Sequence, residues 1–303
     1  MRLDRPNLSS GQYLSGERLA ELCDEAYWVP AGRRANNPAT LAARDGSVIY
    51  THTDQVFWLF DVLRTKPGRF IVVTAESDHT VTESDFQARP WNVVEWFGVN
   101  ATARSPACHV LPLGLANSSC GVTLKPASLA GLESERERSN WLYVNHRVET
   151  NPAIRRRVYE IFQPLVGEGW VTVQEPSASG EMGNYPEELA RHRFVCCPPG
   201  NGVDTHRMWE ALYIGTIPVV LRSPVTDAFS DLPIVQVSDY AEVTQPFLQK
   251  KYEELTSRRD FAWSKLTLPY WARQFEDARA RARSTSRAAL IWRWIQRKAG
   301  RHN

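Results

Sequence analysis

The sequence predicts an α/β protein built from two blocks of parallel-sheet type. Three observations carry this. Short apolar runs recur that are continuous rather than alternating, as in strands covered on both faces. Segments with apolar residues at helical spacing separate them. A polar stretch over residues 118–140 divides the pattern, and the second part starts afresh with no detectable repeat of the first.

In the first block, SVIYTHTD (47–54) opens with a β-rich run, and QVFWLFDVLRT carries an apolar stripe at helical spacing. RFIVVTAESD (69–78) is a continuous apolar strand ending in polar residues. NVVEWFGVNA and HVLPLGL add two more short runs. The segment SSCGVTLKPASLAGLESERERSN reads as a linker, or as an exposed helix within one domain. The expected division is an N-terminal domain over 1–138, with its linker at about 118–139, and a C-terminal domain over 139–303.

The second block begins with NWLYVNH as a strand. A helix follows over NPAIRRRVYEIFQPL, with Asn151 placed to cap it and Pro152 at its first position. WVTVQ is a strand, YPEELARHR a helix, and FVCCP a strand. THRMWEALYIG is a helix closed by Gly215. IPVVL and PIVQV are two further strands, and residues 261–301 are mostly helical.

Composition sets the bounds. The chain has 303 residues, 43% hydrophobic and 23% charged, with a formal net charge of +2. That balance is ordinary for a globular protein and carries no overall pull toward a polyanion. The polar N-terminus does not read as a signal peptide, and no run approaches the roughly 18 apolar residues of a membrane span. The expectation is a cytoplasmic protein. Five cysteines without C-x-x-C spacing argue against a disulfide framework and a structural zinc site. Cys196 and Cys197 are expected as small interior residues.

One stretch carries more polar chemistry than a connection needs. PPGNGVDTHRMWEAL places Asn201, Asp204, His206, Arg207 and Glu210 around Gly200 and Gly202, between a strand and a helix. In a doubly wound sheet this is where ligands bind. The glycines admit unusual backbone angles and close approach. Asp204 or Thr205 can cap the helix, whose first N–H groups favour an anion. Arg207 adds a full charge, and Glu210, one turn on, can accept from the hydroxyls of a ribose. A nucleoside diphosphate satisfies both. The same residues also make a good turn, a good cap and a helical Arg207–Glu210 ion pair. Neither a dinucleotide fingerprint nor a P-loop is present.

The run from PPGNGVDTHRMWEALYIGTIPVVL to SDYAEVT resembles the C-terminal signature of exostosin-like (GT47-type) glycosyltransferases and their bacterial relatives. Its aromatic after Asp239 is Tyr240, where tryptophan is commoner. LYVNHRVETNPAIRRRVYE is similar to the strand, loop and helix that open their C-terminal domain. FIVVTAESDHTV is similar to a strand ending in T-H-N-S-D-Y, with Ala75 and Glu76 where His and Asn are usual. The resemblance is strong over residues 140–246 and weak over 48–117.

The resemblance implies a GT-B fold, two Rossmann-like domains facing across a cleft, and metal-independent inverting transfer of a sugar from a UDP- or GDP-linked donor to a hydroxyl acceptor. No cofactor or metal is expected, and the sequence has no D-x-D motif. Carried over by position, Asn145, Arg147, Gly200, Asn201, Gly202, Thr205, His206, Arg207, Glu210 and Tyr240 would bind the donor. Arg207 would also neutralise the leaving diphosphate. A base must take the acceptor proton, and Asp78 matches the motif's aspartate, with Asp54 second. Trp209 and Leu212 are expected in the core. The acceptor is a glycan, a small molecule or hydroxymethylated DNA, and a non-catalytic nucleotide-sugar or glycan-binding module is a further alternative. The basic C-terminal segment, with Trp292 and Trp294, reads as a solvated helix or as a contact with an anionic membrane surface or nucleic acid.

Overall fold

The computed structural model describes residues 12–27, 41–118, 138–176 and 184–284, together with positions 3, 120, 124, 129, 288, 291 and 292. The chain is mixed α/β with two parallel five-stranded sheets, one in each of two compact units. One unit comprises residues 16–111 and 268–303, the other residues 1–15 and 112–267.

The first unit runs α1 (Gly16–Glu21), β1 (Glu25–Ala26), β2 (Val48–His52), α2 (Val56–Thr65), β3 (Phe70–Ala75), α3 (Glu83–Ala88), β4 (Val93–Val99) and β5 (Cys108–Leu111). The strands lie in the order β1-β2-β3-β4-β5, all parallel. Thr82 and Asp85 form a capping box at the start of α3. Right-handed crossovers that all advance in one direction place their helices on one face of the sheet. Trp96 of β4 reports this, since its ring meets both Phe60 of α2 at 5.2 Å and Phe86 of α3 at 6.4 Å.

The second unit runs β6 (Asn140–Val144), α4 (Pro152–Phe162), β7 (Val171–Val173), α5 (Tyr185–Arg191), β8 (His192–Cys196), α6 (His206–Ile214), β9 (Ile217–Leu221), α7 (Pro224–Asp227), β10 (Val235–Val237) and α8 (Gln245–Ser257). Its order is β10-β9-β8-β6-β7, again parallel. From β6 the chain goes outward to β7, then returns past β6 to β8 and continues away. The direction of winding therefore reverses between β6 and β8. Asn151 caps α4 through Ile154 N–H, with Pro152 behind it, as the sequence predicts. Gly215 closes α6 at φ +86°, where a side chain would be strained. Strand β8 starts two residues before the predicted run because His192 is buried, with Nδ1 donating to the Glu188 carbonyl (2.6 Å) and Nε2 accepting from Thr172 (2.8 Å).

Helix α9 (Leu268–Ser284) belongs to the first unit, not with the second block as the 138/139 boundary has it. The open face of the first sheet explains its place. Phe275 meets Phe97 of β4 edge-on at 5.0 Å. Arg281 forks onto Glu95 of the same strand at 2.7 Å through both nitrogens, and His109 bonds Glu95 at 2.8 Å. Glu95 and Phe97 share one face and Trp96 the other, by the two-residue period of a strand. Most of the predicted linker, and the basic tail including Leu290 and Trp294, lie outside the described residues. Trp292 is exposed. Among the described residues no helix is long and apolar enough to cross a membrane.

Candidate functional site

In an open parallel sheet the ligand crevice lies beyond the carboxyl ends of the strands where the winding reverses. Here those ends are Asn145–His146–Arg147 after β6 and residues 197–205 after β8, followed by the N-terminus of α6. Eight of the ten expected donor residues, Asn145, Arg147, Gly200, Asn201, Gly202, Thr205, His206 and Arg207, therefore lie at these ends.

Arg207 sits on the first turn of α6. Its Nη2 donates to Asn145 Oδ1 at 3.3 Å, and its guanidinium lies 5.4 Å from the Tyr185 ring centroid. Its Nε is buried and has no hydrogen-bond partner. Among the described residues no carboxylate lies within ion-pair distance of it. The helical Arg207–Glu210 pair does not form. Glu210 is buried and accepts instead from the Tyr185 hydroxyl at 2.7 Å, so one of its two oxygens is engaged.

Thr205 occupies the N-cap position of α6, yet its side chain makes no capping bond. Asp204 does not cap it either. Its buried carboxylate accepts from Leu113 N–H (2.9 Å), Thr205 N–H (2.8 Å) and Trp209 Nε1 (2.8 Å). Burial pushes its carboxyl up to about 6 despite these bonds. Asp204 thus ties the preceding loop to the 112–115 segment. His206 is held there too, its Nδ1 against the Gly114 carbonyl at 2.8 Å. A carbonyl only accepts, so Nδ1 carries a proton and donates it to this bond.

Gly200 and Gly202 do not adopt left-handed backbone, so an unusual backbone angle is not what calls for glycine there. At Gly200 the reason is space, because a Cβ would stand 2.8 Å from Arg155 Nη2. Gly202 is buried and Asn201 exposed. Arg147 is exposed, and its carbonyl rather than its side chain is engaged, by Arg155. Tyr240 is 3% exposed and donates to the Val219 carbonyl at 3.3 Å, which makes it part of the core. Trp209 and Leu212 are core residues as expected, Trp209 edge-on to Phe229 at 4.9 Å. Cys196 and Cys197 are buried and free, also as expected.

Two residues at this site escaped the sequence reading. Arg155 of α4 is buried, and its pKa is held down to about 10 by burial and by the charge of Arg207. His146 is 1% exposed; its Nε2 donates to the Arg155 carbonyl (3.0 Å), while Nδ1 is buried without a partner. Burial, with Arg207 and Arg155 close by, pushes its pKa down to about 3, so the ring is neutral. A buried guanidinium, Arg155, and a half-buried one, Arg207, with no carboxylate within ion-pair distance among the described residues, make a site that an anion would stabilise. A helix reading shows Arg155 only as one of three consecutive arginines, and nothing in that pattern separates it from Arg156 and Arg157.

Asp54 and Asp78 belong to the first unit, at the carboxyl ends of β2 and β3, and both are exposed. Glu76 and Asn100, just past β3 and β4, have positive φ values of 59° and 56°. Asn tolerates that region better than Glu, which suits the Asn of the resembled motif at position 76. The Glu76 carboxylate fills the space a side chain on Gly16 would need.

No family model matches this chain, and no curated protein matches it. Among solved structures it is similar to a glycosyltransferase from Rickettsia africae ESF-5, with a TM-score of 0.45 and 8% identity over 79% of this chain and 77% of that one.

Proposed function

We propose that the chain is an inverting, metal-independent glycosyltransferase of GT-B type, exostosin-like, moving a sugar from a nucleoside-diphosphate donor to a hydroxyl acceptor. The observation that carries this is Arg207 at the winding reversal of the second sheet, with its buried Nε unpartnered and, among the described residues, no carboxylate within ion-pair distance. The H-R-x-W-E-A-L run on the same helix supports it by resemblance.

In this reading the diphosphate lies over Gly200–Gly202 against the start of α6, and Arg207 takes up the charge that develops as the sugar departs. Asn145 orients the guanidinium. Glu210, steadied by Tyr185, offers its remaining oxygen to ribose hydroxyls. Asp78, or Asp54, receives the acceptor proton.

A panel of UDP-, GDP-, CMP- and dTDP-sugars scored by thermal shift tests the donor class, since a bound donor stabilises by mass action. Release of free nucleoside diphosphate with glycan, small-molecule and hydroxymethylated DNA acceptors tests the transfer. Arg207→Gln is expected to weaken diphosphate binding by about 10- to 100-fold. A wild-type chain that binds none of the diphosphate sugars sinks the proposal. One observation favours a non-catalytic binding module: among the described residues no side chain holds Asp78 in place. Donor binding without turnover on any acceptor would select that reading.

A further inference from the structure

We infer that Arg155 is the positioning residue of this site, holding both of its loops in register and adding a charge that selects a diphosphate over an uncharged nucleoside. The inference rests on the nucleoside-diphosphate reading above for its ligand, and on geometry for the rest.

Arg155 reaches from α4 into the gap between the two strand ends. Nε donates to the Pro199 carbonyl (2.9 Å), Nη2 to the Pro198 carbonyl (3.2 Å) and Nη1 to the Arg147 carbonyl (2.9 Å). One planar group thereby joins the loop after β6 to the loop after β8. The residue's own carbonyl takes the His146 Nε2 proton. Asn151, at the start of the same helix, donates to the Gly200 carbonyl at 3.2 Å. The fork has no room to spare, since any side chain at position 200 would press on Nη2.

The bonding pattern leaves the charge uncompensated. All three acceptors are neutral carbonyls, and Arg207 is a second cation close by. A lysine keeps the charge but not a fork that reaches three carbonyls. Holding the loops and attracting the anion are therefore separable by substitution.

The test compares Arg155→Gln, Arg155→Lys and Gly200→Ala in the full chain. Without ligand, hydrogen exchange is expected to speed up in residues 147–151 and 197–203 of Arg155→Gln, and less so in Arg155→Lys, with β9 and β10 unchanged. With UDP and GDP as probes, Arg155→Gln should lose roughly tenfold in affinity while uridine and guanosine bind as before. Arg155→Lys should recover part of the diphosphate affinity. Gly200→Ala should cost affinity in the wild type and less in the Arg155→Lys background, where the fork it crowds is gone. Unchanged exchange in both loops, or equal loss for nucleoside and diphosphate, overturns the inference. If the wild type binds no diphosphate, the functional reading fails, and the exchange measurement alone decides the role of Arg155.

Discussion

The two sheets of this chain have the same strand number and the same parallel pairing, yet they are wound differently. The first adds its strands in sequence order, and the second reverses between β6 and β8. Winding in one direction puts α2 and α3 on one face and leaves the other open, so a helix from the far end of the chain, α9, covers it. Winding with a reversal splays two neighbouring connections apart and opens a crevice at the strand ends. Buried charge follows the same division. In the first unit Glu95 is matched by Arg281 and His109, whereas in the second, among the described residues, no carboxylate comes within ion-pair distance of Arg155 or Arg207. A matched cluster holds structure together, and an unmatched one is ready for a ligand.

The largest expected effect separates chemistry from donor binding. Asp78→Ala should reduce turnover by about 10²- to 10⁴-fold while nucleoside-diphosphate affinity stays at the wild-type value. Steady-state kinetics and calorimetric titration read the two quantities, and a parallel loss in both would break the assignment of acceptor chemistry to one sheet and donor binding to the other.

Next comes the helix that closes the first sheet. Phe275 is buried against Phe97, so Phe275→Ala should cost about 3–5 kcal/mol. Hydrogen exchange should then show lost protection in β4 and unchanged protection in β8. Equal loss in both strands would mean that α9 is not specific to the first sheet.

The smallest effects lie in the acid response. Burial pushes Glu95 up, but the bonds from Arg281 and His109 hold it below its ordinary 4.5. Its stabilisation is therefore present above that value and lost as pH falls through the folded one. His146, held near 3, refuses a proton that the unfolded chain takes below 6.5, so stability is lost between those values on acidification. Asp204 works the other way. Its folded value of about 6 lies above the ordinary 3.8, so stability is gained as pH falls across that window. Denaturation of Glu95→Gln, His146→Gln and Asp204→Asn across pH should show a deficit against wild type that narrows below 4.5, a weaker acid loss, and a missing acid gain respectively. Curves parallel to wild type would refute the charge assignments.

Much of the fold was legible because its signals are local. Continuous apolar runs mark strands buried on both faces, Asn151–Pro152 marks a helix start, and Gly215 marks a helix end. The candidate site was legible as far as one strand–loop–helix unit extends, which covers Gly200, Arg207 and Glu210. What lay beyond required partners distant in the chain. Asp204 looks like a cap until Leu113 and Trp209 claim it. Tyr240 looks like a pocket residue until the Val219 carbonyl takes its hydroxyl. Arg155 looks like one of three solvated arginines until two loops close around it.

The sequence by itself determined the element types, the α/β class and the concentration of polar chemistry after β8, because periodicity, caps and glycines act within a few residues. Only the tertiary structure decided the strand order, the return of α9 to the first sheet and the convergence of Asn145, Arg155 and Arg207. Those depend on which elements become neighbours, and a buried guanidinium acquires its role from the carbonyls and charges that packing brings to it.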